Sequence, residues 1–175
     1  MDWLSVREFI LDAVKLIIVI VVILLLMIYV VSVTQVVGNS MSSTLGNGDV
    51  LVLNKFKYHF TDIKRGDIIS FEYDDTKYLI KRVIGLPGDI VSILDNTLYI
   101  NGEVYVENYL DEGLEYDDFE LNSLGYETIP EDMYFVLGDN REDSLDSREI
   151  GLISKDDIIG KVSLRIWPLN KLALF

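Results

Sequence analysis

The chain has 175 residues, with 15 Lys and Arg against 29 Asp and Glu and a net charge of −14. That length holds one domain, or one domain with an appendage, and so acidic a chain repels a polyanion, which sets nucleic-acid binding aside. The absence of cysteine excludes disulfides and thiolate metal sites.

Residues 1–15 carry Asp2, Glu8 and Asp12 against Arg7 and Lys15, and no further charge occurs until Asp49. The run 16–33, LIIVIVVILLLMIYVVSV, is eighteen uncharged positions, which explains a mean hydropathy of +0.27 in an acidic chain. As a helix, 16–37 would reach about 33 Å, against about 30 Å of bilayer hydrocarbon. The sequence therefore predicts a short N-terminus at 1–15, a transmembrane helix at 16–37 and a separate body at 38–175. A cleaved secretory signal is the rival reading. It would need a shorter apolar core, a net positive start and an Ala-x-Ala-like end, and none of these is present. Cations lie on both sides of the run, with Lys55, Lys57, Lys64 and Arg65 soon after it, so the positive-inside bias leaves the orientation open.

Beyond residue 48 the pattern turns to short runs rich in Val, Ile, Tyr and Phe: DVLVLNK at 49, DIISFEY at 67, KYLIKRVI at 77 and DIVSIL at 89. Three of them follow Gly-Asp pairs (Gly48-Asp49, Gly66-Asp67, Gly88-Asp89), which read as turn chemistry rather than a phosphate loop. Asn101-Gly102 inside TLYINGEVYV is a strong hairpin signal. MYFVLGD at 133 and IIGKVSLRIW at 158 add two strands. The expected fold is mainly β, a compact set of coiled antiparallel sheets behind one N-terminal transmembrane helix. Residues 107–132 hold ten Asp and Glu and no Lys or Arg. They read as a solvated, mobile acidic insertion, and their carboxylates lack the spacing of an EF-hand calcium loop.

Two residues could supply a base. His59 stands in a charged connection, where a lone histidine is more often an exposed side chain than a catalyst. In KYLIKRVIG, strand alternation puts Leu79, Lys81 and Val83 on one face and Tyr78, Ile80, Arg82 and Ile84 on the other. Burial on an apolar face lowers a lysine pKa, and a neutral amine can deprotonate a serine hydroxyl; Arg82, always charged, cannot. A lysine snorkelling from a sheet edge fits the same strand.

Taken together, GNSMSSTL (38–45), GDVLVLNK (48–55), KRVIGLPGD (81–89) and GDNREDSLDSREIG (138–151) resemble, in order, the motif set of the type I signal peptidases of Gram-positive type. RIWPLNK near the end is similar too. The resemblance implies a membrane-bound serine endopeptidase that removes signal peptides from exported preproteins, cutting after Ala-x-Ala-like sequences, with no cofactor and no metal. It implies Ser40 as nucleophile and Lys81 as general base. Ser144 would orient the lysine, Asp146 and Arg148 would form a supporting ion pair, and Gly38 would contribute to the oxyanion hole. It also implies a single-pass protein of the cell membrane, N-terminus cytoplasmic and catalytic domain extracytoplasmic. Its partners would be signal peptides and membrane lipid, and it would act as a monomer. The family's usual proline is Ser43 here, which removes a fixed φ and about 1 kcal/mol of turn preorganisation. Two rivals differ in class: a self-cleaving repressor, which would carry a DNA-binding domain where this chain has its apolar run, and an inactive membrane-tethered relative acting as a peptide-binding module.

Overall fold

The computed structural model describes residues 3–55, 63–74, 76–111, 113–115 and 117–175, with the side chains of residues 4, 5 and 26–28 outside that description. His59 lies outside the described residues. Helix α1 covers Trp3–Val30. From Leu16 to Leu25 its apolar side chains are exposed all round rather than packed on the body.

The expected helix over 16–37 is corrected at its end. Val31–Gln35 is a strand, β1, paired antiparallel with β2 (Val50–Asn54) from Val31↔Asn54 to Gln35↔Val50. Val31, Val33 and Thr34 are β-branched and favour extended backbone, and β2 offers an edge that would otherwise stay open. Among the described residues no helical stretch is long and apolar enough to cross a membrane. Between Val6 and Leu25 the helix still carries Arg7, Glu8, Asp12 and Lys15.

The body is antiparallel β. The remaining strands of the main sheet are β3 (Ile68–Asp74), β4 (Lys77–Gly85), β9 (Met133–Leu137), β10 (Ile153–Ser154), β11 (Ile158–Trp167) and β12 (Ala173–Leu174). They run in the order β1-β2-β11-β3-β4-β9-β10, with β12 on β11. A second sheet holds β5 (Val91–Leu94), β6 (Thr97–Ile100), β7 (Glu103–Val104) and β8 (Phe119–Glu120), ordered β7-β6-β5-β8. Bulges interrupt the pairing of β11 with β2 and β3 and of β4 with β9, and such bulges coil a sheet. Asn101-Gly102 makes the β6–β7 hairpin with φ of +54° and +81°, as its sequence predicts, and Asp95-Asn96 turns β5 into β6 with φ of +48° and +59°.

The three Gly-Asp pairs are one turn built three times. Gly48, Gly66 and Gly88 have φ of +89°, +89° and +86°. The following Asp donates its N–H to the carbonyl three residues back and accepts that residue's N–H on its carboxylate. Each carboxylate also meets a cation: Arg165 on Asp49, Lys161 on Asp67 and Arg65 on Asp89. Residues 107–132 depart from the expected solvated, mobile insertion. Phe119, Leu121 and Ile129 are buried against Ile84, Val91 and Phe135, with the Phe119 and Phe135 rings 5.0 Å apart. The carboxylates are spaced by apolar residues, and burying those at about 1.5–3 kcal/mol each outweighs the charge density.

Candidate active site

The β1–β2 connection is a compact turn anchored by apolar residues. Val36 donates to the Asp49 carbonyl and Gly48 donates back to Val36, while Thr44 and Leu45 both donate to Met41. Buried Val36, Met41 and Leu45 pack with Leu51, Leu53, Ile68 and Val162. The turn holds Ser40 at its rim. From the neighbouring region of the sheet, β4 brings Lys81 to it, with Lys81 Nζ 2.5 Å from Ser40 Oγ.

Lys81 is 1% exposed. Its strand neighbours Leu79 and Val83, its cross-strand partner Ile69, and Phe71 belong to one apolar cluster, while Ile80 and Ile84 belong to two others. Burial lowers its pKa from the ordinary 10.5 to about 8, with the Asp146 and Asp139 carboxylates pulling part of the way back. The amine is therefore neutral in a large fraction of molecules only a little above neutral pH.

Loop 138–151 is laced by its own charged side chains. The Asp146 carboxylate is fully buried and bidentate with Arg148 (Nε to Oδ1 and Nη2 to Oδ2, both 2.9 Å), and it accepts the Gly138 N–H at 3.0 Å. Asp146 also caps the short helix α2 (Ser147–Ile150). Arg148 reaches the Arg141 carbonyl. Asn140 N–H donates to the Ser40 carbonyl at 3.0 Å, which joins this loop to the nucleophile turn.

Ser144 lies beside Ser40 but not as expected. A Cβ built on Gly138 would meet Ser144 Oγ at 2.1 Å and the Ser40 carbonyl at 2.4 Å, so all three crowd one spot. Yet Ser144 Oγ is buried without a hydrogen-bond partner among the described residues, and the expected bond to Lys81 is not formed. Gly38 needs its residue type for a φ of +95°, but its N–H is engaged by Asn47 Oδ1 at 3.0 Å.

Sequence reasoning missed three features. Arg82 and Asp139 form a buried bidentate pair at 2.9 and 2.6 Å directly behind the lysine. Arg141 is fully buried against Glu107 of the acidic segment. Gly138 is a close-approach glycine, which its Gly-Asp-Asn context disguises as ordinary turn chemistry.

A cavity of about 210 Å³ opens at Ser40, lined by Thr34–Val37, by Tyr78–Ile80 and by the buried Met41 and Ser70. A larger cleft of about 680 Å³ lies beyond Ser144, lined by six carboxylates (Glu115, Asp117, Asp118, Glu142, Asp143 and Glu149) together with Arg141, Arg148, Phe119 and Leu145, and Ser40 is not part of its lining. Among the described residues, no group of three or more His, Cys, Asp or Glu side chains is disposed to hold a metal ion.

The family profile described as signal peptidase, peptidase S26, matches residues 9–167. Signal peptidase I P of Bacillus subtilis subsp. natto is 41% identical over 141 residues, 77% of this chain and 76% of that protein. Signal peptidase I of Bacillus caldolyticus is 40% identical over 154 residues, 83% of this chain and 85% of that protein. The crystal structure of a signal peptidase I from Enterococcus faecalis V583 superposes with a TM-score of 0.53 at 38% identity, covering 59% of this chain and 98% of that one. A profile that spans both the nucleophile turn and loop 138–151, with relatives of this identity along most of their length, means that the chain belongs to the signal peptidase family, peptidase S26.

Proposed function

We propose that the protein is a membrane-anchored serine endopeptidase that removes signal peptides from exported preproteins, with Ser40 as nucleophile and Lys81 as general base. The observation that carries this reading is the 2.5 Å approach of a fully buried lysine amine to a serine hydroxyl at the mouth of a peptide-sized slot. A substrate strand lies between Thr34–Val37 and Tyr78–Ile80, with small side chains entering the cavity. As Ser40 Oγ bonds to the scissile carbonyl carbon, its proton passes to Lys81 Nζ. The resulting ammonium then protonates the departing amine as the C–N bond breaks. Lys81, neutral again, takes a proton from water as the water oxygen attacks the acyl carbon, and returns that proton to Ser40 Oγ as the acyl C–Oγ bond breaks. The Ser40 N–H faces the developing oxyanion.

The anchor belongs to the same reading. Residues 16–30 are uncharged, and the all-round apolar surface of Leu16–Leu25 suits lipid better than water. With residues 1–15 cytoplasmic and 38–175 outside the membrane, Ser40 follows the helix closely, where a signal peptide emerges from the bilayer. The protein acts as a monomer on signal peptides, with lipid as its other partner.

The test is the pH dependence of kcat/KM on a signal-peptide substrate. Because the base is the neutral amine, activity should rise with pH by about tenfold per unit and level off above about 8. A limb near the ordinary lysine value of 10.5 would remove Lys81 from the role.

Two serines in loop 138–151 separate chemistry from stability. Ser144→Ala removes a buried hydroxyl that has no partner, so Tm should hold or rise. If Ser144 orients the lysine during turnover, kcat should nevertheless fall by about 10²-fold, and Ser144→Thr should restore part of it. Ser147 is the opposite case. Its Oγ accepts the buried Val136 N–H at 2.9 Å, so Ser147→Ala should cost about 1–3 kcal/mol of stability with kcat per folded molecule preserved. Equal kcat in the two alanine variants would reduce Ser144 to loop structure.

A further inference from the structure

Residues 105–111 cross the back of the site as a strap that turns at 107–110, where Leu110 N–H donates to the Glu107 carbonyl, and its odd-numbered side chains each meet a different element. Tyr105 lies under Arg65, with Cζ 5.7 Å from the ring centroid. Glu107 holds Arg141 of loop 138–151 by two charge-assisted bonds, one of them 2.9 Å at Nη1. The Tyr109 ring stacks on Arg82, the residue after Lys81, at 3.9 Å, and its hydroxyl donates to Glu107. Asp111 accepts a 2.8 Å hydrogen bond from Ser43 Oγ, three residues after Ser40. The even-numbered Val106 and Asn108 face solvent.

One short segment thus touches all three parts of the site: the nucleophile turn at Ser43, the lysine strand at Arg82 and loop 138–151 at Arg141. We propose that Glu107, Tyr109 and Asp111 are positioning residues that hold these three parts in register for the Ser40–Lys81 reaction, and that the Ser43–Asp111 bond orders the nucleophile turn. The proposal rests on the dyad reading above. Its physical basis is that none of the three parts is bonded covalently to another nearby, and small misplacements of reacting groups cost large factors in rate. Arg141 passes the constraint on: its Nε donates to the Gly138 carbonyl at 3.0 Å, and Gly138 is wedged against Ser40 and Ser144. Asp111 acts at the nucleophile turn itself. A proline at position 43 would supply that order without a partner, because it fixes φ covalently.

The experiment measures kcat, KM and Tm for the full chain carrying Tyr109→Leu, Asp111→Ala, Ser43→Pro and the double variant Ser43→Pro/Asp111→Ala. Asn108→Ala serves as the exposed control and Ser40→Ala as the reference for the dyad. Kinetic values are expressed per folded active site. Tyr109→Leu and Asp111→Ala should each lower kcat by about tenfold with KM within about twofold, Asn108→Ala should change neither, and Ser43→Pro should restore most of the kcat lost to Asp111→Ala. A strap that only stabilises the fold would lower Tm while leaving kcat per folded site intact, and that result overturns the proposal. So does a double variant as slow as Asp111→Ala alone. Turnover by Ser40→Ala would overturn the dyad reading itself, whereas an inert Ser40→Ala beside fully active strap variants removes the strap alone.

Discussion

Lys81→Met is expected to give a protein that is folded, more heat-stable than the parent at pH 7, and inert. Activity should fall by about 10³-fold or more, because the substitution removes the amine that meets Ser40 Oγ and would take its proton. Ser40→Ala should be equally inactive, since the two act as one unit and their losses do not add. The stability gain follows from burial. The lysine is 1% exposed and its pKa in the fold is about 8, against about 10.5 in an unfolded chain. Below pH 8 the amine is charged in both states, so the folded state bears the full cost of a buried ammonium. Between 8 and 10.5 that cost fades as the folded-state amine loses its proton, and above 10.5 it is gone. The Tm advantage of Lys81→Met should therefore be largest at pH 7 and vanish by about pH 10.5. Melting curves of both proteins at the two pH values decide it. A methionine variant less stable at both would mean that the bond to Ser40 outweighs desolvation. Retained turnover would mean that another base operates.

How much of this site was legible in the sequence depends on the range of the interaction concerned. Ser40 and Lys81 are named through the resemblance of their local motifs to the type I signal peptidases; alternation over residues 77–85 puts Lys81 with Leu79 and Val83 but fits a snorkelling lysine as well. The hairpin at Asn101-Gly102 and the strands near 50, 68, 77, 91, 133 and 158 are local signals too, and they stand where expected. Strand β1 was hidden because Val31–Thr34 continues an apolar run, and only its partner β2 makes it extended. The two-residue strands β8, β10 and β12 are too short to carry a period. The acidic segment misled for a related reason. Ten carboxylates without a cation look solvated, but Glu107 finds Arg141 thirty-four residues away in sequence, and no local pattern encodes that pairing. Gly38 shows the limit of carrying a role by position. Its place in the motif suggests an oxyanion donor, whereas Asn47, nine residues on, engages its amide.

The buried pair behind the lysine has the second large effect. Asp139→Ala should lower stability by about 3–5 kcal/mol, because it leaves the Arg82 guanidinium buried with its charge unmatched. Among the described residues Arg82 then keeps the Gly66 carbonyl at 3.0 Å, the Thr44 hydroxyl at 3.2 Å and the Tyr109 ring, with the more distant Glu107 carboxylate as its remaining negative charge. A fall in Tm of about 10 °C or more is expected. Replacing both partners, as in Arg82→Met/Asp139→Leu, should recover most of that loss, since an apolar pair of similar volume avoids the desolvation of two ions. The rate should behave differently from the stability. The Asp139 carboxylate helps to hold the Lys81 pKa up, so without it the ammonium is less favoured and the pKa falls further. In the double variant the rising limb of kcat/KM should therefore move below pH 8, even though the protein is nearly as stable as the parent. A limb that stays at about 8 would mean that Asp139 acts on Lys81 only through Arg82, whose positive charge leaves together with it. A parent-like Tm in Asp139→Ala would mean that water reaches Arg82 despite the Tyr109 ring that covers it.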